Sequence, residues 1–146
     1  MKQKILTMAA TVAAFLAMAV VTANAQAGAK LKVHVPFDFA AEQTRLKAGD
    51  YSVTRIARNE FLLRSADNKT SVILQAPVAI EPRREGSPAR LVFKRYDNEY
   101  FLTQIWTYAG AEGRQLNTSK TEVRFARQWE QKNTPAQIVE VLVRAK

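Results

Sequence analysis

The chain has 146 residues, with 22 Lys and Arg against 13 Asp and Glu for a formal charge of +9, and no cysteine. The missing thiols exclude a disulfide scaffold, thiol catalysis, a thiolate metal site and a lipidated N-terminal cysteine. The basic balance favours anionic partners, with acidic glycans and lipid headgroups ahead of nucleic acid for an exported protein.

Export is read from the start of the chain. Lys2 and Lys4 precede an uncharged apolar run from Ile5 to Val21, and Ala23-Asn24-Ala25 supplies the A-x-A pattern of a signal-peptidase site. Residues 1–25 are read as a signal peptide cleaved before Gln26, and residues 26–146 as a single β domain. The apolar run approaches the roughly 20 residues that span a bilayer, but a membrane anchor lacks the A-x-A end. No second apolar span follows, so no transmembrane segment is expected after cleavage. Removing the leader and its two lysines leaves 121 residues and a charge of +7, enough chain for one core. The expected destination is the periplasm or the extracellular space.

KLKVHVPFDF, 30–39, alternates strictly, with Leu31, Val33, Val35, Phe37 and Phe39 on one face and Lys30, Lys32, His34 and Asp38 on the other. That pattern predicts a half-buried strand, placed at an edge or bulged where Pro36 lacks an N–H. A turn at Gly49-Asp50 leads into a strand near Tyr51 to Ala57, and EFLLRS, 60–65, is the next. Ala66-Asp67-Asn68-Lys69 has hairpin-turn chemistry, and TSVILQAPVAI, 70–80, returns as a strand bent at Pro77. EPRREGSPA, 81–89, is too polar and too rich in proline for an element and is read as an exposed loop.

LVFKRYDNEYFLTQIW, 91–106, reads as a tight hairpin about Asp97-Asn98, pairing Phe93 with Leu102 and Arg95 with Tyr100. In that register Leu91, Phe93, Tyr100, Leu102 and Trp106 line one face. Val92, Phe101 and Ile105 line the other with Lys94, Tyr96 and Thr103. Both faces are partly apolar, as in a central hairpin covered on one side by the core and on the other by a helix or loop. The aromatics need no ligand to account for them, because they are good strand residues that bury large areas.

Residues 108–120 read as a loop. Ser119-Lys120-Thr121-Glu122 then has the S-x-x-E form of a capping box, and Val123, Phe125, Ala126 and Trp129 make one face of a helix to about Lys132. AQIVEVLVRA, 136–145, is a β-branched closing strand. The expected fold is mainly β, a single-domain antiparallel sandwich or barrel of about seven strands with one short helix near 119–132.

At VPFDF (35–39), LKAGDYSV (46–53) and LVFKRYDNEYFLTQIW (91–106) the chain resembles a family of small exported bacterial proteins. That family shares VPFDF near the mature start, an L-P-A-G-x-Y-x-V segment and an L-V-F-x-R-Y…Y-F-L-x-x-I/V-W hairpin. GRQLNTSKTE, 113–122, is similar to its G-R-x-L-x-x-S segment, and Lys47 departs where the family has proline. The resemblance implies export and one domain. It carries no activity, cofactor or catalytic residue.

Catalysis has few candidates. His34 is the only histidine, and Asp38, four residues along the same strand face, would stand about 13 Å away at roughly 3.3 Å per residue. No G-x-S-x-G or S-x-x-K nominates a serine, and no cofactor or metal set is indicated. Asp38 with Glu42 and Asp97 with Glu99 leave a paired-carboxylate, carbohydrate-active enzyme as the third reading. Binding is the stronger class. Arg83, Arg84, Arg90, Lys94 and Arg95, opposed only by Glu85, give a local +4 over thirteen residues, suited to phosphate or carboxylate. The first expectation is therefore an exported envelope binding module for an anionic glycan or lipid headgroup. The alternative is a β-barrel carrier whose inward aromatics line a pocket for an apolar ligand.

Overall fold

The computed structural model describes residues 30–81, 86–107 and 112–144. The proposed leader, its cleavage point and the loop arginines Arg83 and Arg84 lie outside the described residues. Two antiparallel sheets pack face to face as a β-sandwich with one helix outside, so the predicted fold class holds.

The four-stranded sheet runs β1 (Lys30–Val35), β4 (Gly49–Ala57), β5 (Glu60–Ser65) and β6 (Ser71–Gln75) in spatial order. The larger sheet is ordered β11 (Gln137–Leu142), β8 (Arg90–Tyr96), β9 (Glu99–Trp106), β10 (Gly113–Gln115) and β7 (Val78–Ile80). One more hairpin, β2 (Phe39–Ala41) with β3 (Thr44–Leu46), joins that sheet by a single parallel pairing of Ala40 with Phe101.

Seven of these eleven strands have five or more residues, and each falls within a segment that the sequence reads as a strand. The other four have three residues each, too short to show a period of two. Two of them arise at prolines. The expected strand over 30–39 breaks at Pro36 into β1 and β2, and the expected strand over 70–80 breaks at Ala76-Pro77 into β6 and β7. In each case the chain leaves one sheet and joins the other, because proline cannot donate to the ladder it would otherwise continue. β10 forms inside the segment read as a loop, pairing with both β9 and β7.

The core lies between the sheets. Phe39, Phe61, Phe93, Leu63, Leu74 and Leu91 are fully buried there. Its aromatic rings meet one another: Phe93 makes edge contacts with Phe37 at 5.1 Å and Phe39 at 5.3 Å, and Phe39 meets Tyr51 at 5.4 Å. Rings at these separations fill the space between the sheets themselves. The sandwich is also tied at its sides, where Arg144 N–H donates to Lys32 O at 3.1 Å and Asn117 N–H to Gln75 O at 3.1 Å.

The central hairpin has the expected turn and register near its tip. Asp97 sits at φ 58°, in the left-handed region that Asp tolerates, with Tyr96 opposite Glu99, Arg95 opposite Tyr100 and Phe93 opposite Leu102. Past Phe93 the pairing jumps, so that Val92 faces Gln104 and Thr103 is the extra residue of a β-bulge. Thr103 Oγ1 donates to Val92 O at 3.1 Å there. This corrects the expected faces of two residues. Ile105 falls opposite Leu91 and enters the core, whereas Trp106 falls opposite Arg90 and turns to the outer face.

That outer face is partly covered by α1 (Lys120–Gln131). Phe125 meets Phe101 at 5.6 Å and Trp129 meets Tyr96 at 6.3 Å, giving the hairpin the second cover that its two apolar faces require. Ser119 caps the helix, its Oγ accepting from Glu122 N–H at 3.1 Å. Among the described residues no helix is long and apolar enough to cross a membrane.

Candidate functional site

A cleft of about 310 Å³ opens on the outer face of the larger sheet, beside the start of α1. Strand alternation builds it. Arg90, Val92 and Lys94 share the outward side of β8, and Glu140 and Ile138 of β11 pair with Val92 and Lys94 on one flank. The bulge at Thr103 delivers Gln104 and Trp106 to the other flank.

Two ion pairs of unlike quality occupy the cleft. Arg90 Nε–H donates to Glu140 Oε1 at 3.2 Å and Nη1–H to Pro88 O at 3.2 Å, and the guanidinium lies 4.4 Å from the centre of the Trp106 ring. Its side chain is only 13% exposed. Arg90 is thus fixed on three sides, by a carboxylate, a carbonyl and an indole.

Lys94 is held less firmly. Its side chain is 42% exposed and its Nζ stands 4.0 Å from Glu122 Oε1. Glu122 is 4% exposed, and its carboxyl faces the sheet instead of closing the second half of the expected capping box. Burial pushes that carboxyl above its ordinary value of 4.5, and the nearby Lys94 charge opposes the shift without reversing it. A perturbed carboxyl beside an accessible ammonium in a cleft is the arrangement in which functional groups concentrate.

Among the five basic residues singled out by sequence, the structure brings Arg90 and Lys94 to this cleft. Arg95, one position on, alternates to the opposite side of β8. There it donates to Asp97 O and, at 3.4 Å, to Gln137 Oε1, and lies 5.4 Å from the Tyr100 ring. The run of charge in sequence is therefore divided between two faces. Glu122, Glu140 and Gln104 were missed, since one read as a helix cap and the others as ordinary polar positions on strands.

Four of the remaining candidates, His34, Asp38, Glu42 and Glu99, are separately engaged. His34 Nδ1 lies 2.8 Å from Asp50 Oδ1 of the neighbouring strand. Asp38 accepts from Lys47 Nζ and from Ala48 N–H, both at 2.9 Å, and these bonds hold its carboxyl below the ordinary value of 3.8. Glu42 accepts from Gln75 N–H at 2.8 Å, and Glu99 pairs with Arg45. Among the described residues no group of three His, Asp or Glu could hold a metal ion. The chain matches no family model, and no curated protein or solved structure matches it.

Proposed function

We propose that this is an exported envelope protein that binds an anionic ligand, an acidic glycan or a lipid headgroup, in the cleft beside α1. The observation that carries the reading is Lys94, a half-exposed ammonium facing the cleft with its one carboxylate partner 4.0 Å away and biased by burial toward the neutral acid. An incoming phosphate, sulfate or carboxylate can approach that ammonium at hydrogen-bonding distance, closer than the 4.0 Å of Glu122. Arg90 forms the fixed wall beside it, and the charge of +7 that remains without the two leader lysines steers anions toward the surface. Arg83 and Arg84, in the segment leading into β8, extend the same reading as additional phosphate or carboxylate donors.

Binding to heparin and to vesicles containing an anionic lipid, titrated with salt, tests it. Affinity is expected to fall steeply as the Debye length shrinks from about 30 Å at 0.01 M salt to about 8 Å at 0.15 M. Lys94→Gln weakens binding and lowers the melting temperature modestly, because it also takes the nearby cation from the buried Glu122 carboxyl, while the protein stays folded by circular dichroism. Binding that ignores both salt and Lys94→Gln would overturn the proposal. A negative heat-capacity change with salt-independent affinity would point to an apolar ligand.

A further inference from the structure

A second groove, about 510 Å³ and open to solvent, lies at the far end of α1, between the helix and the tip of the β8–β9 hairpin. Trp129 supplies aromatic surface in it over the nearly buried Tyr96, and Asp97, Asn98 and Gln128 stand around them. The side chains of Asp97, Asn98 and Gln128 and the hydroxyl of Tyr96 make no hydrogen bond to any described residue. A hairpin turn and a helix face have thus set planar, unengaged amide and carboxylate groups around a half-buried indole.

We propose that this groove binds the neutral hexopyranose units of a polysaccharide chain. A pyranose ring has a C–H face that packs on an indole and a rim of vicinal hydroxyls that both donate and accept. Amide and carboxylate groups match that rim two atoms at a time, and the free phenol adds one more donor and acceptor. The groove carries no excess of positive charge to favour an anion. Glu99 is paired with Arg45, which leaves Asp97 against the single Lys132, so a nearly neutral surface stands on a strongly basic protein. Lys132 Nζ rests 4.9 Å from the centre of the Trp129 ring, an exposed cation on a flexible stem that a sugar displaces. The site is independent of Lys94 and of the anionic reading, so either can fail alone.

The test is a titration of the ¹⁵N-labelled chain with maltohexaose, cellohexaose and N-acetylchitohexaose, read at the two indole N–H signals. Trp106 Nε1–H, fixed on Gln104 Oε1 at 3.1 Å, is the internal reference for Trp129. At least one probe is expected to move the Trp129 signal saturably, leave the Trp106 signal in place, and bind equally at low and high salt. Trp129→Ala abolishes the effect. Gln128→Ala, on the exposed side of the helix and favourable to it, weakens binding about five-fold, as for one neutral hydrogen bond, and keeps the test open if Trp129→Ala does not fold. Lys132→Ala binds as well or better. The proposal is overturned if no probe moves the Trp129 signal at millimolar concentration, if Gln128→Ala changes nothing, or if binding disappears in Lys132→Ala or in salt.

Discussion

Gly113 lies against the indole of Trp106 so closely that a Cβ built on the glycine would stand 2.5 Å from Cε2 and 2.6 Å from Cζ2 of the ring. The two residues are cross-strand partners in β10 and β9, and Arg90 lies over the same ring from the next strand. An indole confined in this way, 5% exposed, cannot step aside cheaply. Gly113→Ala is expected to cost about 1–3 kcal/mol, the usual range for overpacking. The melting temperature should fall, and the near-ultraviolet circular dichroism of Trp106 should change. Unchanged melting would mean that the ring is free to move.

Phe93→Ala removes the ring at the centre of the aromatic cluster. With the side chain wholly buried and in contact with Phe37 and Phe39, the expected loss is about 3–5 kcal/mol. A domain of this size holds only about 5–15 kcal/mol in total, so denaturant melts should shift plainly. A shift of a few tenths of a kcal/mol would contradict the packing.

Glu122 gives a pH dependence with a definite sign. Its carboxyl binds protons more tightly folded than unfolded, so its contribution to stability is present below 4.5 and declines as pH rises through the elevated folded value. Asp38 and Asp67 act oppositely. Held below 3.8 by Lys47 with the Ala48 N–H and by Ser65 with the Lys69 N–H, they add stability that is lost as pH falls through their lowered values. Glu122→Gln should flatten the melting temperature against pH above 4.5 and raise it at neutral pH. A wild-type profile that keeps rising across that interval in a manner Glu122→Gln does not alter would refute the assignment.

Ser119→Ala tests the helix cap separately from Glu122. Loss of the Oγ acceptor for Glu122 N–H should cost about 0.5–2 kcal/mol, and Ser119→Asp should restore most of it. If alanine and serine melt alike, the cap does not limit the helix.

The sequence alone determined whatever depends on local chemistry. Alternation over 30–39, turn residues and β-branched runs marked the seven longer strands, Asp97-Asn98 set the hairpin turn, and Ser119 set the start of the helix, because period, left-handed tolerance and capping act over a few neighbouring residues. Pro36 was read as an edge or bulge position and Pro77 as a bend, but that the chain leaves its sheet at both depended on which sheet had an open edge. The bulge at Thr103 was decided only by tertiary structure. It inserts one residue against the partner strand, leaves no mark in the pattern of one strand, and exchanges the faces of Ile105 and Trp106. The cleft followed from the same source. Arg90, Lys94 and Arg95 are neighbours in sequence, yet alternation separates Arg95, and Lys94 meets Glu122 only because the apolar face of α1 needs the outer face of β8 and β9 to cover it. Burial then raises the Glu122 pKa, a shift no composition reveals, since desolvation is a property of the surroundings and not of the residue.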